Sequence, residues 1–154
     1  MFERFLLQIK GNSGTSQHSL FPKAVTFSAT DFVLLMEMEK EILALGFRFE
    51  IFGKNTLLIS GSPADMVGGE KELLEGLLEQ YKKNQSELYL PIQENLARAL
   101  SKRTSIKVGQ KMEMEEMKGL VEQLFACANP NYSPEGKPTF FTFESAKLES
   151  YFNR

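Results

Sequence analysis

Cysteine, histidine and tryptophan are almost missing from this chain. Among 154 residues there is one cysteine, Cys127, one histidine, His18, and no tryptophan. A single thiol excludes an internal disulfide and a thiolate-rich zinc site within one chain, and it fits a reducing, cytoplasmic setting. A lone histidine without a cysteine beside it is a poor metal ligand and is expected on a solvent-facing loop. Long apolar runs are lacking as well, so no stretch reaches the roughly 20 residues that cross a bilayer. Glu3, Arg4 and Lys10 interrupt the first apolar stretch, which therefore does not read as a signal peptide. Nor is there an excess of positive charge. Lys and Arg number 18 against 20 Asp and Glu, and the net charge of −2 argues against a protein that grips nucleic acid by general electrostatics. No glycine-rich loop opens a helix to cradle phosphate, and Cys127 and His18 carry no nucleophile signature around them. No cofactor and no membrane contact are expected.

What is present suits one compact domain or two small lobes sharing a core, with 42% hydrophobic and 25% charged residues. Phe2, Phe5, Leu6 and Ile9 recur at helical spacing up to a stop at Gly11, as though the chain entered in mid-helix from a longer protein. The stretch from Gly11 to Ser16 has no anchoring side chain and is expected to be a mobile linker or loop. A β-prone run from Ala24 to Phe27 precedes Ser28-Ala29-Thr30-Asp31, which has the form of a capping box. Leu35, Met38, Ile42 and Leu45 then stripe one helix, ended by Gly46. Phe47, Phe49 and Ile51 alternate with charged residues and, with the run from Thr56 to Ser60, predict a hairpin. Leu73, Leu74, Leu77, Leu78 and Tyr81 stripe a further helix, with a polar exit at Lys82-Lys83-Asn84. The pattern is β-α-β-β-α.

Beyond that exit, Ile92, Leu96 and Leu100 mark one helix and Met117, Leu120, Val121, Leu124 and Phe125 another. Thr139 to Phe143 reads as a strand, and Leu148, Tyr151 and Phe152 belong to a last short helix. The fold class is α+β, in two lobes: residues 17–84 form the β-α-β-β-α regulatory lobe, and residues 1–16 with 85–154 form a helical/β dimerisation lobe. Met36, Met38, Met112 and Met114 suggest a cofactor box less well than adaptable filling of cores and interfaces. Glu113, Glu115 and Glu116 suggest a metal cluster less well than a helix start whose acids offset the macrodipole. Arg103, Lys107 and Lys111, with Lys102, form the densest basic cluster, open to a weak DNA contact or to a solvated helix end.

Three separated stretches carry a family resemblance. Glu3 in Phe2-Glu3-Arg4-Phe5-Leu6 resembles the last glutamate of an acidic metal-binding helix. Ser101-Lys102-Arg103-Thr104-Ser105-Ile106-Lys107 resembles a small-Cys-Arg/Lys segment followed by Ile-Lys, with Lys102 at the cysteine position. Asn129-Pro130-Asn131-Tyr132-Ser133-Pro134-Glu135-Gly136-Lys137-Pro138-Thr139 is similar to Asn-Pro…Cys-Pro-His-Gly-Arg-Pro-Thr, with Ser133 for the cysteine and Glu135 for the histidine. The family is that of the C-terminal domains of bacterial MutL-type mismatch repair proteins, whose competent members are metal-dependent endonucleases. The resemblance implies a two-lobed dimerisation domain with a MutS-type mismatch recognition protein among its partners. Its metal site here is degenerate at Glu3, Lys102, Ser133 and Glu135, because a zinc or manganese ion needs several converging thiolate, imidazole or carboxylate donors and an ammonium repels it. No catalytic and no metal-binding residues are assigned. The plainer account of Pro134 to Pro138 is an ordinary turn. The rival is a working metal-dependent endonuclease whose ligands come from upstream or from an atypical site.

Gln17-His18-Ser19-Leu20-Phe21 resembles the short motif by which many bacterial repair proteins bind the ring-shaped β sliding clamp. The resemblance assigns clamp binding to Gln17, Leu20, Phe21 and Pro22: an amide for a polar anchor and two apolar side chains for a pocket. The alternative is that Leu20 and Phe21 lead into the first strand as core residues. Phe125, Phe140, Phe141, Phe143, Tyr151 and Phe152 concentrate aromatic surface in the second half, and some are expected to face a partner copy in a twofold homodimer.

Overall fold

The computed structural model describes residues 1–64, 66 and 69–152. The chain divides into two compact units, Met1–Val108 and Gly109–Arg154.

In the first unit, helix α1 (Phe2–Gly11) buries Phe5 and Ile9 of the four residues its spacing singled out, while Phe2 and Leu6 are partly buried against the same core. The stop lies one residue later than expected. Asn12 takes the left-handed conformation at φ 49°, and the amides of Asn12 and Ser13 close the last turn on the carbonyls of Ile9 and Gln8. The stretch after it is no free linker. Gly14 N–H donates to the Ala44 carbonyl at 2.9 Å, and Ala64 N–H donates to the Thr15 carbonyl at 3.1 Å. A Cβ on Gly14 would lie 2.2 Å from that Ala44 oxygen, so the backbone provides the anchor that the side chains do not.

Strand β1 (Ser16–Thr26) starts well before the β-prone run that announced it. Ser28 then caps helix α2 (Ala29–Glu37), its hydroxyl accepting the Asp31 amide at 3.1 Å. The Asp31 carboxylate is engaged by Lys82. The helix expected through Leu45 is interrupted at Met38 and continues as α3 (Glu39–Ala44). Leu35, Met38, Ile42 and Leu45 are nevertheless all buried, so the apolar stripe survives the break. Strands β2 (Arg48–Gly53) and β3 (Thr56–Pro63) form the expected hairpin, with Asn55 at φ 55° in its turn. β3 lies between the other two in an antiparallel sheet of order β1-β3-β2. Phe47, Phe49, Leu57 and Ile59 face the core, whereas Ile51, expected inside, is exposed near the end of the edge strand.

Helix α4 (Glu70–Leu88) buries the five apolar residues that define its stripe and then runs on past the expected polar exit. Lys82 reaches Asp31, and Asn84 is buried with its oxygen accepting from the Gln80 amide at 2.8 Å. The helix closes at Tyr89, at φ 47°. Helix α5 (Ile92–Thr104) packs on both α4 and α1. Leu96 and Leu100 are buried, and the Asn95 amide donates to the Tyr81 carbonyl at 3.1 Å. Each fully buried Leu, Ile or Phe of this cluster stabilises the unit by roughly 1.5–3 kcal/mol.

The second unit holds helix α6 (Met114–Phe125) and helix α7 (Ser145–Phe152). The acids at the start of α6 serve its N-terminus: Glu116 in the first turn accepts the amide of the capping residue Glu113 at 2.8 Å in a reciprocal capping box. The strand expected over Thr139–Phe143 does not form. Only an isolated bridge joins Tyr132 to Pro138, and no strand pairs with the residues after it among those described. Alternation alone does not make a strand where no neighbour supplies hydrogen bonds. None of the described residues from Gly109 onward is buried.

Candidate functional site

The segment Gln17 to Pro22 is displayed rather than packed. β1 pairs with β3 from Ser16↔Pro63 to His18↔Gly61, loses register, and resumes at Lys23↔Ile59. Four residues, Ser19 to Pro22, thus stand against the single Ser60 and are pushed out as a bulge. Leu20 is 90% exposed and Phe21 80% exposed, which overturns the reading of both as core residues. Gln17 is exposed on the strand just before the bulge, paired with Ser62, and lines a shallow cleft of about 280 Å³ with His18, Ser19, Leu20, Ser62 and Glu70. Two neighbouring apolar side chains fully in water, on a backbone tied at both ends to a sheet, suit insertion into an apolar pocket of another protein.

Two contributors to this geometry escaped the sequence reading. Ser19 donates its hydroxyl to the Phe21 carbonyl at 3.1 Å, across the bulge. Gly61 sits opposite its start, where a Cβ would come within 3.1 Å of the Gln17 oxygen and 2.7 Å of Ser16 Oγ. A glycine inside an otherwise regular strand was the available signal.

The four positions that the resemblance reads as a degenerate metal motif divide between the units. Glu3 lies in the first turn of α1 and Lys102 in the last turn of α5, each placed to complement its helix macrodipole. Ser133 and Glu135 lie in the second unit, in a closed turn. The Ser133 hydroxyl accepts the amides of Glu135 at 3.3 Å and Lys137 at 3.2 Å, while Ser133 N–H donates to the Lys137 carbonyl at 2.8 Å. Gly136 supplies the positive φ of 79° that the reversal needs, and the Thr139 hydroxyl donates to the Pro130 carbonyl. Lys137 Nζ stands 3.1 Å from the Glu135 carboxylate. A hydroxyl engaged by two amides and a carboxylate matched to an ammonium do not fit the donor set of a divalent transition metal. Among the described residues, no three His, Cys, Asp or Glu side chains converge as such a site requires.

The basic cluster is occupied in part by structure. Arg103 donates to the Glu72 carbonyl at 3.1 Å, and its guanidinium fills the space left over Gly76 on α4. Lys107 Nζ donates to the Lys102 carbonyl at 3.0 Å. Lys111 belongs to the second unit. His18 is exposed on β1, and Cys127 donates its thiol to the Gln123 carbonyl at 3.3 Å.

The second unit exposes the aromatic surface that its composition announced. Phe125 and Phe140 meet with ring centroids 5.1 Å apart, while Phe141, Phe143, Tyr151 and Phe152 are exposed. On α6, Met117, Leu120 and Val121 form a stripe that is likewise exposed. Among the described residues, no helix is long and apolar enough to cross a membrane.

Residues 1–112 match the family model described as the MutL C terminal dimerisation domain. Over its whole length the chain is 35% identical to the DNA mismatch repair protein MutL of Chlorobium chlorochromatii, 36% to that of Chloroherpeton thalassium and 34% to that of Pelodictyon phaeoclathratiforme. It covers 24%, 24% and 25% of those proteins, so it spans about a quarter of the length of the relatives it matches. The three motif-bearing stretches, the α+β architecture and these similarities agree: the chain belongs to the MutL C-terminal dimerisation domain family.

Proposed function

We propose that this chain is an assembly platform for mismatch repair: it pairs with a second copy of itself and docks on the β sliding clamp through Gln17, Leu20, Phe21 and Pro22, without nuclease chemistry of its own. The observation that carries the docking half is the exposed Leu20–Phe21 bulge on β1. The pairing half is supported by the family and by a second unit in which none of the described apolar side chains is buried. The absence of nuclease chemistry is supported by Ser133, Glu135 and Lys102, whose functional groups are engaged or of the wrong charge for a cation. A MutS-type mismatch recognition protein is the further partner that the family resemblance implies.

The docking test is a titration of purified clamp with this chain and with a Gln17→Ala, Leu20→Ala double variant. Loss of a buried apolar anchor and its polar partner is expected to weaken binding by at least about tenfold. Equal affinity of the two would end the docking proposal. For pairing, equilibrium sedimentation is expected to show a dimer at micromolar concentration, shifted toward monomer by Val121→Glu, which puts a charge into the α6 stripe. A wild-type chain that stays monomeric throughout that range would count against self-association.

A further inference from the structure

The docking segment carries more structure than its function as a linear motif requires. A peptide motif needs only the order of its side chains, yet here the order is embedded in a strand whose ladder resumes after the bulge, from Lys23↔Ile59 to Thr26↔Thr56. Pro22 cannot donate to a ladder and holds its φ near −65°, which keeps the return limb of the bulge from zipping onto β3. Ser60, the one residue facing the bulge, also sits where the other side of the sheet slips: Arg48 pairs with Gly61 and Phe49 with Ile59. Both neighbours of β3 therefore change register at the same point, and Gly61 lets them approach there. Inside the bulge, the Ser19 hydroxyl donates to the Phe21 carbonyl at 3.1 Å, a local side-chain tie on the extended backbone.

We infer that Ser19 is a positioning residue for docking: its hydroxyl, held on the Phe21 carbonyl, keeps the bulge in the shape that a partner's apolar pocket receives, so the folded chain binds better than the same residues in a free peptide. The inference rests on the clamp-docking reading of this segment. Its physical basis is preorganisation. A segment that must be ordered on binding loses affinity in proportion to the fraction of time it is not in the competent shape. Ser19 acts through Phe21 and is not required to touch the partner.

The experiment is a two-by-two comparison against purified clamp: the full chain and a synthetic peptide of residues 16–24, each with Ser19 and with Ser19→Ala. In the chain, Ser19→Ala is expected to weaken binding about three- to tenfold, the effect of one hydrogen bond, and Ser19→Thr to restore most of it. In the peptide, which has no sheet to hold its ends, Ser19→Ala is expected to change nothing. An equal loss in both backgrounds would show a direct contact between Ser19 and the clamp and overturn the inference, as would no loss in the chain. Amide order parameters in the free chain provide a readout independent of the clamp. Leu20 and Phe21 are expected near the value of about 0.85 typical of rigid backbone, falling toward 0.6 in Ser19→Ala. Flexible Leu20 and Phe21 amides in the unsubstituted chain would overturn the inference even if docking holds. Rigid amides in a chain that does not bind the clamp would remove the docking reading and with it the positioning role of Ser19, leaving only a bulge held in one shape.

Discussion

At the scale of single residues, much of the fold depends on polar groups that find partners far along the chain. Asp31 is the clearest case. It stands next to the cap of α2, and the Lys82 ammonium, fifty-one positions later, holds its carboxyl below the ordinary value of 3.8, with the Ser28 hydroxyl adding to the effect and burial opposing it. A carboxyl whose folded value is lowered contributes stability that is fully present above its unfolded value and is lost as pH falls through the folded one. The expected outcome is that wild type is more stable than Asp31→Asn near neutral pH and that the difference narrows as pH falls below 3.8 and through the lowered folded value. Urea denaturation across that range checks it; a difference independent of pH would show that Lys82 does not discriminate the charged form. Tyr81 is shifted the other way, raised above 10.0 by burial and by Glu37 and Glu41, so its hydroxyl stays protonated within the fold.

At the scale of elements, the legible parts were those written in periodicity. The stripes of α1, α4 and α5 and the alternation of the hairpin were readable because burial of one face repeats with the geometry of the element. What was not legible was settled by backbone or by distant partners. The polar run Lys82-Lys83-Asn84 looks like a helix exit until Asp31, Gln80 and the neighbouring turns satisfy it. Thr139–Phe143 has strand residues but no neighbouring strand, and β1 reached back over a motif whose apolar residues point away from the core. The loop between α1 and β1 was the least readable, since its ties are main-chain hydrogen bonds. It yields a prediction: Gly14→Ala, which leaves every side-chain contact intact, is expected to destabilise the chain by about 1–3 kcal/mol through the clash with the Ala44 carbonyl. A thermal midpoint equal to wild type would mean that the loop gives way freely.

At the scale of the whole molecule, the two units differ in kind. All buried residues among those described lie within Met1–Val108, where α1, α5, α4 and the sheet share one cluster. A chain ending at Val108 is therefore expected to unfold in one cooperative transition and, on the proposed docking reading, to bind the clamp as the full chain does, since the Leu20–Phe21 bulge is built entirely from that unit. Calorimetry and the clamp titration check both halves; a broad, non-cooperative transition would show that the second unit is needed to complete the core. The candidate site was legible to a similar degree. The order Gln17, Leu20, Phe21 could be read from residues, and the sheet geometry that exposes it could not.

That none of the described residues from Gly109 onward is buried has a consequence for regulation. A segment with no interior of its own gains one only by meeting another surface, so its order is governed by mass action. Dilution would loosen it and crowding onto a shared scaffold would firm it. Copy number and local recruitment thus become the quantities expected to set how well the second unit is folded.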